Sequence, residues 1–162
     1  MNLKTVKERA TQLEGKTAWG TRLGFGSFIT VEFGLETRTL GGHVHGEWHL
    51  WVYCCAWHIE QKRQLVAASE DERSYLQKRV PILNGRRVTS VEIGEHMSDA
   101  AFNFEGSVTL RTLGVYSRGR EHWMLYTPGG KVLTIGPGSS ASFTKASANE
   151  RGLKSQGRLQ QA

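Results

Sequence analysis

The order of apolar and polar positions predicts two short helices, each followed by a run of strands. A helix is predicted over residues 3–13 because apolar side chains recur there at helical spacing and Gly15 follows. A second helix is predicted over residues 70–79, from the capping-box pattern of Ser69 and Glu72, and Pro81 ends it. The apolar stripe of the first helix consists of Leu3, Val6, Ala10 and Leu13.

Short apolar or alternating runs between turn residues predict eight or nine strands. Two helices with many strands joined by short turns indicate an α+β protein that is predominantly antiparallel β. The predicted strands are TAWGTRL, SFITVEF, EWHLWVYCCAWHI and QLVAA, then RVTSVEI, AAFNF, SVTLRTLGVY, HWMLY and KVLTIG.

A weak internal repeat runs through the chain with an offset that drifts from about 70 to about 73 residues. Its order predicts two duplicated helix-plus-meander halves around one core, about residues 1–68 and 69–138, in a single domain of residues 1–138. The matching stretches are LEGK (13–16) with LNGR (83–86), VEFG (31–34) with FNFEG (102–106), and HLWVY (49–53) with HWMLY (122–126).

The stretch GEWHLWVYCCAWHIE, residues 46–60, has the pattern of one strand that is apolar on both faces. Cys54 and Cys55 would then point to opposite faces, so neither a mutual disulfide nor a shared metal ion is expected. One face would carry Trp48, Leu50, Val52, Cys54 and Ala56, and the other Trp51, Tyr53, Cys55, Trp57 and Ile59.

Composition narrows the class of protein. With 38% apolar and 22% charged residues in 162, the chain has the balance of a soluble globular domain rather than a disordered one. It contains no apolar run of about 18 residues and no signal-peptide pattern, so no membrane segment is predicted and a cytoplasmic location is expected. Residues 139–162 lose apolar periodicity and are predicted to form a flexible basic tail.

The net charge of +6 raises the question of nucleic acid. The excess lies in the termini and the middle connector, which favours ordinary solvated surfaces, and residues 46–59 contain no Lys or Arg beside their aromatic residues. Nucleic-acid binding is therefore a second alternative function, with weak contacts through Arg86, Arg87 and the basic tail.

Two pairs of acidic residues and histidines are candidates for acid–base chemistry. Glu47 with His49, and Glu121 with His122, stand at the starts of two predicted strands, and a Tyr follows each His by four positions. A polar strand edge is the interpretation favoured for both pairs. Histidines 43, 45 and 49 could share a strand face, but GGHVHG has the pattern of a loop, so no metal or cofactor is predicted.

No catalytic motif is complete, and the aromatic strands suit a protein interface. The pattern therefore favours a non-enzymatic protein-binding module with another protein as partner. The alternative is a small-ligand-binding protein or enzyme that uses a cleft between the duplicated halves. The interface candidates are Trp48, Trp51, Tyr53, Trp57, Trp123 and Tyr126.

Residues 13–140 resemble small uncharacterised bacterial proteins of the domain-of-unknown-function type. The resemblance implies no established activity, and it implies an immunity or defence-accessory role in a bacterial conflict system only by association. It is carried by EWHLWVYCC and by the ordered set Leu83, Gly85, Val88, Val91, Phe102, Phe104, Gly106, Trp123, Leu125, Pro128, Gly130, Leu133, Gly136 and Pro137.

Overall fold

A computed structural model describes residues 1–38 and 42–146. Over these residues the chain forms two α-helices, each continued by a 3-10 turn, and eleven β-strands. The helices are α1 (Leu3–Ala10) and α2 (Arg73–Arg79), continued by the turns Thr11–Leu13 and Val80–Leu83. The strands are β1 (Ala18–Leu23), β2 (Ile29–Arg38), β3 (Val44–Val52), β4 (Cys55–Gln61), β5 (Gln64–Ala68), β6 (Val88–Ile93), β7 (Ala100–Phe104), β8 (Val108–Gly114), β9 (Trp123–Tyr126), β10 (Lys131–Ile135) and β11 (Ala141–Lys145).

The strands form two antiparallel sheets that share one arrangement. The six-stranded sheet has the order β1-β2-β3-β9-β10-β11, and the five-stranded sheet has the order β5-β4-β8-β7-β6. In each sheet, three consecutive strands are followed by a hairpin from the other half of the chain. The predicted α+β class with predominantly antiparallel strands is confirmed.

One hydrophobic core lies between the sheets and holds residues of both. Phe33 of β2 stacks on Phe104 of β7, with ring centroids 6.3 Å apart, and Phe102 meets Trp123 edge-on. Each helix packs on both sheets, α1 against β6 and β10, and α2 against β5 and β1. The two sheets and the two helices therefore enclose a common interior.

The first helix follows its predicted pattern, whereas the second begins later than predicted. Val6 and Ala10 are buried, and the side chain of Asn2 caps α1 by accepting from the amide of Thr5. The predicted capping box of Ser69 and Glu72 does not form. Ser69 instead accepts a long hydrogen bond from the amide of Trp57, and α2 starts at residue 73.

The predicted continuous strand over residues 46–60 is wrong, because the chain leaves one sheet for the other at Tyr53 and Cys54. The alternation of core-facing and outward-facing residues starts again where the chain crosses between the sheets. Trp48, Leu50 and Val52 face the core from β3. In β4 the core positions are Cys55, Trp57 and Ile59, which the uninterrupted pattern placed on the opposite face from Trp48, Leu50 and Val52.

Part of the predicted tail, residues 141–145, forms strand β11, which pairs along its whole length with β10. This strand contains no apolar run because it lies at the edge of the sheet with only one side covered. Residues 147–162 of the predicted tail lie outside the described residues. Within the described part of the chain, no helix is long and apolar enough to cross a membrane.

Candidate functional site

The outer face of the six-stranded sheet, which points away from the core, carries an unusual row of side chains. Glu32 of β2 lies opposite His49 of β3, which lies opposite Tyr126 of β9. Polar residues on such a face are ordinarily exposed to water, but only 6% of Glu32 is exposed. A buried carboxylate on this outer face requires partners that offset its lost hydration.

A bulge brings a second histidine to Glu32. Gly34 and Leu35 of β2 lie opposite the single residue Glu47, and Gly34 has a φ of 72°, a conformation that glycine adopts at little cost. A Cβ at Gly46 would lie 2.6 Å from the carbonyl oxygen of Phe33, so the strands approach more closely there than any other residue allows.

His45 is the residue that this bend brings in. Its ring centroid lies 6.5 Å from that of His49, although the two residues are four positions apart on one strand. Its Nδ1 lies 3.9 Å from Oε1 of Glu32.

Both carboxylate oxygens of Glu32 accept hydrogen bonds. Its Oε1 accepts a 2.8 Å hydrogen bond from Nδ1 of His49, and its Oε2 accepts a 2.9 Å bond from the amide of Gly46. Burial alone raises the pKa of Glu32, but the hydrogen bond and charge of His49, together with the Gly46 amide, hold that pKa below its ordinary value. Glu32 is therefore ionised at neutral pH.

His45 is uncharged at neutral pH. Burial lowers the pKa of His45, and the neighbouring carboxylate of Glu32 offsets only part of that effect. The ring of His43 lies 6.5 Å from that of His45. Over residues 1–38 and 42–146, no group of three or more His, Cys, Asp or Glu side chains is arranged to hold a metal ion.

Aromatic side chains continue this face toward the end where the chain crosses between sheets. Tyr53 packs against Phe28, with centroids 4.5 Å apart, and against Trp51, at 4.8 Å. Trp51 and Tyr53 also pack on a small buried cluster of Met124, Tyr126 and Val132. The pair of Glu32 and His49 thus borders an aromatic surface formed by both halves of the chain.

Glu47 and His49, which were predicted as a pair, contact different residues. Glu47 forms a 2.7 Å ion pair with Lys16, whereas His49 bonds to Glu32. Because Glu47 is held by Lys16, Glu32 is the carboxylate that orients the imidazole of His49.

The second predicted pair lies at the other end of β9. The amide of Tyr53 donates to the carbonyl of His122, whereas His49 lies opposite Tyr126, so the two histidines are four residues apart along the strands, or about 13 Å. Glu121 lies beside Cys54 in the connection that leads to β9. The four candidates therefore do not converge on one cleft.

His122 is buried, with 1% of its surface exposed, and it forms a hydrogen bond to the loop before β9. Its Nε2 lies 2.9 Å from the carbonyl oxygen of Tyr116, which also accepts from the amide of Gly138. Its Nδ1 is buried without a hydrogen-bond partner in the described part of the chain. The backbone of the loop before β9 is thus anchored by a buried imidazole.

The six interface candidates divide into two groups. Three tryptophans are buried between the sheets and cannot reach a partner, whereas the other three candidates lie on the outer face of the six-stranded sheet. The buried group is Trp48, Trp57 and Trp123, and the outer group is Trp51, Tyr53 and Tyr126.

Neither cysteine has the setting of a nucleophile. Burial raises the pKa of Cys55 to about 12, and its thiol donates to the carbonyl of His122. Burial also raises the pKa of Cys54 despite the nearby Arg120. Both thiols are free and protonated at neutral pH.

The arginines proposed for nucleic-acid contact are occupied within the protein. Arg86 donates to the carbonyls of Ile82 and Glu105, and Arg87 forms a 3.4 Å ion pair with the side chain of Glu105. Their charges are therefore partly satisfied before any phosphate approaches.

Sequence reasoning named His45 and His49 as possible neighbours but missed Glu32, and its loop prediction for GGHVHG is wrong from residue 44 onward, where β3 begins. Glu32 sits between Val31 and Phe33, where an alternating strand places an ordinary exposed residue. One signal was available: the repeat aligns VEF with FNF and so sets Glu32 against Asn103. That difference marks a position where the two halves diverge in charge.

Comparison of the chain with protein-family models, with curated proteins and with solved structures gives no significant match.

Proposed function

We propose that this protein is a non-enzymatic protein-binding module whose binding surface lies where the chain crosses between the sheets. The crossover surface is defined here as loop 24–28, Leu113 and loop 115–120. The register supports this grouping, because the starts of β2, β4 and β9 and the ends of β3 and β8 all meet at this end.

The observation that carries the proposal is loop 115–120, with sequence VYSRGR. All six residues are exposed, yet the base of the loop is fastened by the buried His122 and by the amide of Gly138. A loop that displays Val, Tyr and two Arg on a fixed backbone loses little conformational entropy on binding. Tyr and Arg are also the residue types that most often dominate interface energies.

Loop 24–28 extends the same surface with a second fixed aromatic residue. Arg73 donates to the carbonyls of Gly24 and Gly26, and the indole of Trp57 donates to the carbonyl of Ser27. Phe25 at the tip of this rigid loop is 60% exposed. Of the eight exposed large hydrophobic residues in the described chain, four belong to the crossover surface, namely Phe25, Leu113, Val115 and Tyr116.

The test is affinity capture from the native host with the full-length chain and two variants. Wild type and Leu35→Ala, an exposed residue at the opposite end of β2, should retain the same protein, whereas Tyr116→Ala should lose it. A hot-spot truncation costs about 2 kcal/mol or more, which corresponds to roughly a thirtyfold weaker affinity. Equal capture by all three chains, or no specific protein with wild type, refutes the proposal.

The narrower role in immunity or defence stays a prediction. A toxin or defence gene beside this gene in the native genome would support it. The absence of such a gene from every genome that carries this protein would count against it.

We also infer that the two halves arose by duplication. Support comes from the shared order of helix, 3-10 turn, three-stranded meander and hairpin in each half. The turns after the two 3-10 segments pair reciprocally, with the amide of Gly15 donating to Val88 and that of Gly85 donating to Ala18. Relatives from other genomes test this inference, because their averaged halves should align strand by strand, β1 to β5 with β6 to β10. The predicted match of HLWVY with HWMLY is wrong under this order, because these stretches are β3 and β9, which lie side by side in one sheet.

A further inference from the structure

Three of the four sheet edges receive at least two hydrogen bonds each from neighbouring segments of the chain. The turn at residues 84–86 bonds to the edge of β1, and residues 14–16 bond to the edge of β6. The side chains of Asp71 and Tyr75 bond to the edge of β5. The fourth edge is β11, which ends the six-stranded sheet.

The hydrogen bonds at the two ends of the hairpin of β10 and β11 show which groups of β11 point outward. At one end the amide of Ala146 donates to Gly130, and at the other end the amide of Gly136 donates to Ser140. The backbone groups of an antiparallel strand alternate in direction from one residue to the next. The even-numbered residues therefore direct their N–H and C=O groups toward β10, and the odd-numbered residues of β11 direct theirs away from the sheet.

One of these outward groups is bonded within the protein, and four others are not. The carbonyl of Ala141 accepts a 3.2 Å hydrogen bond from the amino group of Met1. The N–H and C=O groups of Phe143 and Lys145 have no hydrogen-bond partner among the described residues. These four groups are what an extended peptide needs in order to join the sheet as a further strand.

Three cationic side chains lie around Phe143 at this edge. Lys131 lies opposite Lys145 across the hairpin, so both side chains lie on the face that carries Phe143. The guanidinium of Arg9 lies 4.6 Å from the centre of the Phe143 ring, and Nζ of Lys131 lies 5.4 Å from it. Within the described ranges, none of the three cations belongs to an ion pair. The edge therefore combines unbonded strand groups with uncompensated positive charge.

Charge and backbone chemistry together select the occupant of this edge. Lysines on an edge strand oppose pairing with a second copy of the same strand, because each copy brings the same charges. Residues 147–162 are also basic, with three basic residues and one acidic residue. A nucleic acid has the opposite charge but no amides and carbonyls that continue a β-ladder. An acidic peptide strand matches both the charge and the exposed backbone.

We propose that the edge of β11 binds an extended acidic segment of another protein, which joins the six-stranded sheet as a further antiparallel strand. The backbone of the segment bonds to Phe143 and Lys145, and its alternate acidic side chains lie beside Arg9, Lys131 and Lys145. The antiparallel direction continues the pairing of the sheet and gives the more stable ladder. This site is separate from the crossover surface, because Phe143 and Lys145 lie toward the start of β10, whereas the end of β10 pairs with the start of β9.

The first test titrates the full-length chain with capped octapeptides in a calorimeter at about 50 mM salt, where charge screening is weak. A peptide of alternating Glu and Thr should bind. The same peptide with Gln in place of Glu should bind about tenfold more weakly, because it keeps the backbone and loses the ion pairs. No binding of the Glu peptide, or equal affinity for the Gln peptide, overturns the proposal.

Methylation of the peptide backbone tests strand addition itself. In the proposed antiparallel pairing, residues whose side chains share the face of Phe143 direct their N–H groups toward β11, and these are the Glu residues. N-methylation of the Glu residues should therefore abolish binding, whereas N-methylation of the Thr residues should leave the affinity within about twofold. Equal effects of the two modifications overturn the proposal.

Variants of the protein locate the site. The double variant Lys131→Gln/Lys145→Gln should bind the Glu peptide about tenfold more weakly, whereas Lys78→Gln, at an exposed position of α2, should bind it as wild type does. Tyr116→Ala should also bind it as wild type does, which separates this proposal from the crossover surface. An unchanged affinity of the double variant, or a loss with Tyr116→Ala, overturns the proposal.

Two other occupants are tested with the same wild-type chain. A single-stranded oligonucleotide of eight thymidines should bind more weakly than the Glu peptide, and sedimentation of the chain alone should show a monomer. Tighter binding of the oligonucleotide would identify nucleic acid as the occupant. A dimer that the Glu peptide dissociates would identify a second copy, and either result overturns the proposal.

Discussion

Replacing Glu32 with Gln should destabilise the protein far more than the same change at Glu60. Glutamine keeps one acceptor oxygen and places an amide NH₂ where the carboxylate accepted its second hydrogen bond. The amide of Gly46 and Nδ1 of His49 both donate to Glu32, so one donor of the two loses its acceptor. A hydrogen bond to a charged group contributes about 1.5–3 kcal/mol.

A loss of about 2 kcal/mol in the free energy of unfolding is expected, because His49 can recover part of the cost by changing tautomer. For a chain of this length that loss lowers Tm by about 4–8 °C. Glu60 is a suitable control because its side chain is 30% exposed and its partners, His58 and Arg111, are also open to water. Such surface pairs contribute about 0–1 kcal/mol.

The stability difference between wild type and Glu32→Gln should decrease as the pH falls into the acid range. The folded-state pKa of Glu32 lies below its ordinary value of 4.5, so its stabilising contribution is complete above that value and is lost as pH falls through the folded pKa. His45, whose folded pKa is also lowered, adds a loss of stability as pH falls below its ordinary value of 6.5.

Urea unfolding of wild type, Glu32→Gln and Glu60→Gln, repeated at several pH values, measures both effects. The gap between wild type and Glu32→Gln should be largest near neutrality and should shrink progressively below pH 4.5. Equal stability of the two variants at pH 7, or a gap that stays constant into acid, would show that the carboxylate of Glu32 carries no charge-dependent stabilisation.

Three further outcomes follow from particular side chains. His122→Ala should release loop 115–120, and limited trypsin digestion should cut that loop at least about tenfold faster than in wild type, since local opening controls such cleavage. Cys55 should stay unlabelled by a thiol reagent at pH 8 in the native protein and react once the chain is unfolded, because its pKa is about 12. Phe104→Ala should cost about 3–5 kcal/mol in a denaturant titration, whereas Phe25→Ala, at an exposed tip, should cost less than about 0.5 kcal/mol.

Much of the fold could be predicted because local patterns decide it. The first helix follows from an apolar stripe, and most strands follow from short apolar runs between turn residues. The crossing at Tyr53 and Cys54 could not be predicted in the same way. Core-facing residues on both sides of the crossing are apolar, so the pattern continues smoothly while the backbone changes sheet.

The candidate site could be predicted only in part, for a related reason. Glu47 and His49 are neighbours in sequence and share a face, so spacing alone suggests a pair. The partner that His49 actually has is Glu32, brought beside it by strand pairing and joined by His45 through a bulge at Gly34. Residues that contact each other across paired strands are not separated by a fixed number of positions in the sequence. A bulge further changes which residues lie opposite each other.

The internal repeat nevertheless carries information that single-strand patterns lack. It aligns residues of β2 with residues of β7, which occupy matching places in the two sheets. The repeat sets Glu32 against Asn103, and their cross-strand partners in the two sheets are His49 and Thr109. Matching strands of the two sheets are thus satisfied in two ways, by a carboxylate bonded to an imidazole in one and by an amide bonded to a hydroxyl in the other.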